Sequence, residues 1–154
     1  MIPKLLLRIA AVLILIHLIG HSIGHSGWKK VTDPAKIPVI RLMTGLKFPF
    51  MGVNRSMGDY FDGYGYIASA TLALMVVLLW LSSNYIADRN PFVHQTIMIL
   101  GLILVAIGLL EFTFFFPFAA CISLLSGILA ISAWFLSRRP LAAPAYPNAQ
   151  YTQP

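Results

Sequence analysis

Apolar residues fall into four long runs along the chain, separated by shorter polar segments. Each run is close to the ~20 residues that a helix needs to cross the hydrocarbon core of a bilayer, and the runs cover about residues 5–26, 60–84, 92–111 and 117–137. We therefore predict an all-α fold, an integral membrane four-helix bundle that forms one domain over residues 1–139. The Pro-rich segment 140–154 has no apolar periodicity and is predicted to be a disordered tail.

The first connection, residues 29–62, is the only long one between the runs. Apolar residues recur at three-residue spacing from Ile37 onwards, with basic residues between them. This pattern predicts a short helix that lies on the membrane surface. Ser56 and Asp59 have the spacing of a capping box ahead of the second apolar run, so the second membrane-spanning helix is predicted to begin as early as Met57.

Composition and charge agree with a membrane protein. Hydrophobic residues make up 58% of the chain and charged residues only 10%, whereas soluble domains are roughly a quarter charged. The net charge of +6 comes from basic residues beside the apolar runs, where they meet the lipid bilayer, and no nucleic acid partner is expected. The single cysteine, Cys121, excludes an intrachain disulfide and a cysteine-built zinc site.

The orientation is less clear than the spans, because basic residues flank the runs almost evenly on the two sides. Four spans place both termini on the same side, and the short, charge-dense terminal clusters favour a cytoplasmic one. The first run is longer than the core of a typical signal peptide, and no small-residue cleavage pattern follows it. We therefore expect the first helix to be retained as an anchor.

Three histidines stand four residues apart at the end of the first run: His17, His21 and His25. On a helix this spacing places all three on one face. Gly20 and Gly24 form a small-xxx-small pair beside them, which predicts helix packing through close approach of another helix. The histidines fit two interpretations equally, as hydrogen-bonding groups between helices or as a metal, haem or proton site.

Antiparallel threading of the spans brings further ionisable residues into the same half of the bundle. Glu111 lies near the C-terminal end of a predicted helix, where the helix dipole disfavours a negative charge. An ionised carboxylate near hydrocarbon is costly unless it is paired, so Glu111 needs a proton, a cation or a metal. We predict that Glu111 contacts His21 or His25, directly or through a metal. Asp59 and Asp62 also have a structural explanation as first-turn carboxylates. The candidate polar cluster is His17, His21, His25, Asp59, Asp62 and Glu111.

The candidate metal ligands are His21, His25 and Glu111. A mixed set of imidazole and carboxylate ligands suits a divalent metal such as Zn, Mn or non-haem Fe. The sequence has no HExxH motif, so the chemical types of the candidate ligands are the only indication of a metal site. Haem is the alternative cofactor, with one histidine as its axial ligand in an apolar pocket.

Three segments of the chain carry a resemblance. Gly-His-Ser-Ile-Gly-His spans residues 20–25, Phe-Pro-Phe-Met-Gly spans 48–52, and an aromatic, glycine-rich segment spans 55–65. Together they resemble a group of small uncharacterised bacterial membrane proteins with four spans and a Gly-His-x-x-Gly-His motif in the first helix. The resemblance implies a bacterial inner membrane location and carries no established activity.

Two classes of function remain open at this stage, and whether the protein is an enzyme is undecided. In the first, a His and carboxylate site holds a metal, a haem or a proton and acts on an apolar small molecule. In the second, the protein is a small accessory or structural subunit, as a homo-oligomer or in a larger membrane complex. The polar groups then serve only in helix packing.

Overall fold

The computed structural model describes residues 1–88 and 90–138. Four of its helices are long and apolar enough to cross a membrane, which confirms the predicted all-α fold. The predicted tail at residues 140–154 lies outside the described residues. In chain order the elements are α1 (Ile2–Gly27), α2 (Ile37–Gly45), β1 (Lys47–Phe50), β2 (Val53–Ser56), α3 (Met57–Tyr85), a 3-10 turn (Ile86–Asp88), α4 (Pro91–Phe114) and α5 (Pro117–Ser137).

Local sequence signals define where the long helices begin. The Ser56 hydroxyl accepts a hydrogen bond from the backbone N–H of Asp59, and the Asp59 carboxylate accepts one from the N–H of Ser56. This is the predicted capping box, and it starts α3 at Met57. At α4, Pro91 occupies the first turn, where its missing N–H removes no helical hydrogen bond.

The long connection between α1 and α3 contains the predicted short helix, α2, and a hairpin that the sequence analysis did not predict. Strands β1 and β2 pair antiparallel, with Phe50 opposite Val53. Met51 and Gly52 form the two-residue turn, and both have positive φ angles, 46° and 84°. A turn with two positive φ angles matches the right-handed twist of a hairpin, which favours glycine at one of the positions.

The four long helices do not pack equally against one another. Helix α1 packs against α3 and α5, and α5 packs along α4, whereas α3 and α4 make few contacts. A core of fully buried side chains fills the half of the bundle that holds the start of α1 and the end of α5. It includes Leu7, Ile14, Leu79 and Leu104. Three helix pairs, α1 with α3, α1 with α5 and α4 with α5, are therefore closely packed, and the pair α3 and α4 is weakly packed.

The glycines that bring helices together differ from those predicted. Among the described residues, no heavy atom lies within 4 Å of a Cβ placed on Gly20 or on Gly24, so neither glycine has the predicted packing role. The close approach lies between α4 and α5 instead, where a Cβ on Gly127 would be 2.8 Å from the Gly101 carbonyl oxygen. Helix α1 packs through Ala10 and Ala11, which are buried at its other end, and no neighbouring helix approaches Gly20 or Gly24 closely.

Candidate functional site

A histidine from α1 and a glutamate from α4 meet inside the bundle. His17 Nε2 lies 3.3 Å from Glu111 Oε1, and the two side chains are 8% and 14% exposed. His17 Nδ1 lies 3.2 Å from the hydroxyl oxygen of Ser123, a fully buried residue of α5. Three helices thus each contribute one polar side chain to a single contact.

One proton can lie on either partner of this contact without a change in net charge. A protonated His17 donates from Nε2 to ionised Glu111, and a protonated Glu111 donates to neutral His17. Either arrangement avoids an isolated charge near hydrocarbon, which is costly. In both arrangements His17 Nδ1 carries a hydrogen and donates it to the Ser123 hydroxyl, which therefore satisfies both forms of the ring.

The second carboxyl oxygen of Glu111 is left without a partner. Glu111 Oε2 is buried and makes no hydrogen bond to any described residue. Buried polar atoms are nearly always hydrogen-bonded, so an exception calls for an explanation. A ligand beside Glu111 would supply the missing partner.

Glu111 lies one helical turn deeper than the sequence analysis predicted, and its partner is His17 in place of His21 or His25. Helix α4 continues to Phe114, beyond the predicted end at 111. Glu111 is therefore three residues, or about 4.5 Å, inside the helix. This displacement along the axis moves its carboxylate from the level of the outer histidines to that of His17.

A cavity of about 550 Å³ lies next to the pair. Its walls come from α1, α3, α4, α5 and the turn between α4 and α5, and they are largely apolar. Thr71 on α3 and Leu110 on α4 line its edges and are exposed, so the cavity opens where these two helices pack weakly. The lining residues are Ile16, His17, Gly20, His21, Ala68, Thr71, Leu72, Ile107, Leu110, Glu111, Phe115, Phe116, Phe118, Ala119 and Ile122.

His21 lines the same cavity but has a partner of its own. Its Nε2 lies 3.1 Å from the carbonyl oxygen of Gly65 on α3. A carbonyl oxygen only accepts, so Nε2 carries the hydrogen, and the neutral ring keeps Nδ1 as an acceptor. The ring is also parallel to that of His25, with 6.0 Å between the ring centres. The histidines therefore lie along one face of α1, as predicted, but each ring has a different environment.

His25 and Asp62 belong to a second cluster at the end of α1. Asp62 accepts hydrogen bonds from the indole N–H of Trp28, at 2.7 Å, and from the Lys29 ammonium group. His25 Nε2 lies 3.9 Å from Asp62 Oδ1. The hydrogen bond from Lys29 to Asp62 raises the pKa of Lys29, which lies outside the helices. Asp62 thus ties the end of α1 to the first turns of α3.

Glycine at position 65 makes room for the ring of His25. A Cβ atom at Gly65 would overlap the His25 imidazole. Phe61 and Tyr66 pack against the same ring, with centres 5.8 Å and 5.1 Å away. The environment of His25 is therefore tightly packed and aromatic, unlike the open cavity beside His17.

Asp59 serves a structural role and stands apart from the other candidates. Its carboxylate accepts the backbone N–H of Ser56 in the capping box, which is the structural alternative considered in the sequence analysis. The six candidate residues thus divide into three groups. His17, His21 and Glu111 line the cavity, His25 and Asp62 form the interfacial cluster, and Asp59 caps α3.

The predicted metal ligands are not assembled around one point. Among residues 1–88 and 90–138, no three His, Cys, Asp or Glu side chains are grouped so that they could hold a metal ion. Glu111 pairs with His17, while His25 approaches Asp62. A haem would need an axial histidine with a free nitrogen, which His21 retains at Nδ1 and His17 does not. Both nitrogens of His17 and Nε2 of His21 already have partners.

Sequence reasoning missed several residues of the two clusters. Ser123 is one of four serines in the fourth apolar run, and nothing in the sequence sets it apart from the other three. Trp28 and Lys29 follow the first apolar run, where residues of these types are typical of the membrane interface, but both bind Asp62. His94 is not among the candidate residues, and it lies at the other end of the bundle, where its Nδ1 contacts Ser137.

The sequence matches no protein-family model, and no curated protein or solved structure is significantly similar to the chain. The resemblance to the bacterial four-span group, based on residues 20–25, 48–52 and 55–65, therefore stays a prediction. The geometry around His17 and Glu111 is the basis on which a function can be argued.

Proposed function

We propose that the protein binds an apolar, membrane-soluble small molecule in the cavity beside His17 and Glu111. The pair binds one polar group of this molecule and exchanges a proton with it. The observation that carries the proposal is a buried His and Glu pair, with one unsatisfied carboxyl oxygen, in the wall of a largely apolar cavity.

The shape and lining of the cavity support an apolar ligand. Ligand sites are typically concave, mostly apolar and equipped with a few polar groups that fix orientation. This cavity has a volume of about 550 Å³, within the usual range for small-molecule sites. It opens between α3 and α4 along helices that are apolar enough to lie in a membrane. A molecule dissolved in lipid can therefore enter from the side.

The polar groups support a ligand with a hydroxyl, phenol or carbonyl group. Ionised Glu111 accepts a hydrogen bond through Oε2, and protonated Glu111 donates one. His17 takes or gives the matching proton at a distance of 3.3 Å. Proton transfer by positioned His and carboxylate side chains is general acid–base chemistry, and the apolar surroundings exclude water that would compete for the proton.

The experiment compares two glycine variants of α1 that differ only in where the new side chain points. Gly20→Leu places an isobutyl group in the cavity lining, and Gly24→Leu places the same group outside it; neither position has a described heavy atom within 4 Å of the new Cβ. The full chain in lipid nanodiscs is exposed to a photoreactive long-chain alcohol that carries a diazirine. Labelled peptides are then located by mass spectrometry.

We expect labelling of the cavity segments of α1, α3 and α4 in the wild type and in Gly24→Leu. Gly20→Leu should lose most of this labelling, because its side chain occupies the space of the probe. Equal labelling of the two variants would contradict binding in the cavity. A third variant, Glu111→Leu, should weaken labelling by the alcohol more than labelling by a photoreactive alkane, since only the alcohol needs a polar partner.

We also propose a bacterial inner membrane location with both termini in the cytoplasm. The support is the resemblance of residues 20–25, 48–52 and 55–65 and the charge-dense clusters at the two ends of the chain. Green fluorescent protein fused to the C-terminus should fluoresce, because the reporter folds in the cytoplasm. An alkaline phosphatase fused at the same position should be inactive. The reverse pair of results would invert the orientation.

An accessory role remains the second candidate, and one observation favours it. The end of α4 and the start of α5 present exposed aromatic side chains beside the turn that joins them, including Phe112, Phe114 and Phe118. Such a patch can contact a partner in a membrane complex. Purification under mild conditions tests this role: co-purification of a defined larger complex, lost on Phe114→Ala and Phe118→Ala, would favour it over the cavity function.

A further inference from the structure

A second concave site lies at the opposite end of the bundle, between the start of α4 and the end of α5. This groove has a volume of about 480 Å³. Its polar part is formed by His94, Gln95 and Arg138, and its apolar part includes Met98, Ile99 and Trp134. It shares no lining residue with the cavity beside Glu111.

His94 has an unsatisfied nitrogen in this groove, and its hydrogen positions follow from its neighbours. His94 is 9% exposed, and its Nδ1 lies 3.2 Å from the Ser137 hydroxyl oxygen. The Ser137 hydroxyl donates its single hydrogen to the Trp134 carbonyl at 2.8 Å, so Nδ1 of His94 must be the donor to Ser137. His94 Nε2 is then buried without a partner among the described residues.

Arg138 supplies a positive charge at the same place. Its guanidinium carbon lies 4.5 Å from the centre of the Trp134 ring, and this cation–π contact fixes the group at the mouth of the groove. Within the described part of the chain, no Asp or Glu lines the groove. The polar part therefore favours a negatively charged ligand, to which His94 adds a second donor when Nε2 is protonated.

We propose that this groove binds an anionic phospholipid, with its phosphate against Arg138 and His94 and an acyl chain along Met98 and Ile99. Pro91 begins α4 and Ser137 ends α5, so the polar part lies at the membrane surface. Ile99 follows Pro91 by eight residues, or about 12 Å of helix. The polar and apolar parts are thus stacked in the order of a headgroup and its chain.

The apolar part distinguishes a lipid from a free phosphate ion. Ile99 is exposed on the side of the bundle that faces lipid, and Met98 is half-buried beside it. Free phosphate would contact only the polar part and would leave these side chains unused. An anionic lipid satisfies both parts at once, and basic residues at a membrane surface attract such lipids by about 1 kcal/mol each.

The test is competitive lipid binding to the purified full chain, measured by native mass spectrometry. The protein is offered equal amounts of phosphatidylglycerol and phosphatidylcholine with identical acyl chains. We expect phosphatidylglycerol to be preferred, and Arg138→Gln to lower the preference by more than about fivefold, the factor that corresponds to one surface cation without a specific contact. His94→Gln should also lower it, and Arg138→Lys should retain part of it.

The matched control is Lys4→Gln. Lys4 is exposed and lies in the first turn of α1, at the same end of the bundle as the groove. The substitution removes one positive charge outside the groove and should lower the preference by no more than about fivefold, clearly less than Arg138→Gln. An equal loss in Lys4→Gln and Arg138→Gln would overturn the proposal in favour of general surface charge. Inorganic phosphate at millimolar concentration should not displace phosphatidylglycerol; complete displacement would show a free phosphate site and would also overturn it.

Discussion

His17 on α1 and Glu111 on α4 hold a contact of 3.3 Å between two helices whose backbones make few contacts with each other. The side chains bridge the bundle where the backbones do not. Ser123 extends the bridge to α5, which packs against both helices. The polar groups therefore link parts of the bundle that apolar packing alone leaves weakly joined, and the contribution of this link to stability can be measured.

The first prediction concerns the coupling of this pair. His17→Ala and Glu111→Gln should each lower the free energy of unfolding in detergent by about 1–3 kcal/mol, because the first leaves the buried Glu111 carboxyl without its partner and the second replaces a charge-assisted hydrogen bond with a weaker neutral one. The double mutant should lose clearly less than the sum, since the second change removes a group that is already unpaired. Glu111→Gln combined with the distant Ser56→Ala serves as the control and should be additive. Additivity in both pairs would show that the contact is energetically irrelevant.

The second prediction concerns Gly65. Gly65→Ala should destabilise the protein by about 1–3 kcal/mol, the usual effect of overpacking, because its Cβ overlaps the His25 ring. Gly63→Ala is a matched control two residues away, with no described heavy atom within 4 Å of its Cβ, and should be neutral or slightly stabilising. The His25→Ala background should remove most of the Gly65→Ala effect. Thermal unfolding of the four variants provides the measurement, and equal effects of the two glycine changes contradict the packing argument.

The third prediction concerns the start of α3. Ser56→Ala should lower the free energy of unfolding by about 1 kcal/mol, because the side chain that accepts the Asp59 N–H is lost. Ser26→Ala is the control, as its exposed hydroxyl bonds only to the Ile23 carbonyl at the end of α1. Hydrogen exchange at the first amides of α3 should rise in Ser56→Ala alone. Unchanged protection there would argue against a stabilising cap.

The fourth prediction is a pH dependence at the interfacial cluster. The hydrogen bond to Asp62 raises the pKa of Lys29, so the folded state holds this proton more tightly than the unfolded state does. The resulting stabilisation is fully present below the ordinary lysine pKa of about 10.4 and is lost as pH rises through the folded-state pKa. The difference in Tm between wild type and Lys29→Gln should therefore be constant near neutral pH and shrink in strong alkali. A difference that grows with pH would contradict the assigned cause.

The overall fold could be predicted from the sequence because its signals are local. Run length gave the four long helices, and the spacing of Ser56 and Asp59 gave the start of α3 at Met57. The β1 and β2 hairpin could not be predicted in this way. Its strands are only four residues long, and Pro49 in β1 argues against a strand unless the strand lies at an edge.

The candidate site was predicted in outline only, because its details depend on how the helices are placed along their axes. Threading indicated which half of the bundle would hold Glu111, but three extra residues at the end of α4 changed its partner to His17. Which face of α1 meets another helix also depends on the packing of Ala10 and Ala11 at the far end. Spacing within a single helix contains no information on either point.

For the proposed apolar ligand, the opening between α3 and α4 determines whether its concentration in water or in lipid governs occupancy of the cavity. Because the opening lies along two helices that are apolar enough to span a membrane, a ligand partitions into the bilayer before it reaches His17. The concentration that governs binding is then the mole fraction of the ligand in lipid. At a fixed ligand concentration in water, this mole fraction rises with the lipid–water partition coefficient. Apolar compounds of equal intrinsic affinity will therefore rank by their lipid solubility, and dilution with extra lipid will release them even when the volume of water is unchanged.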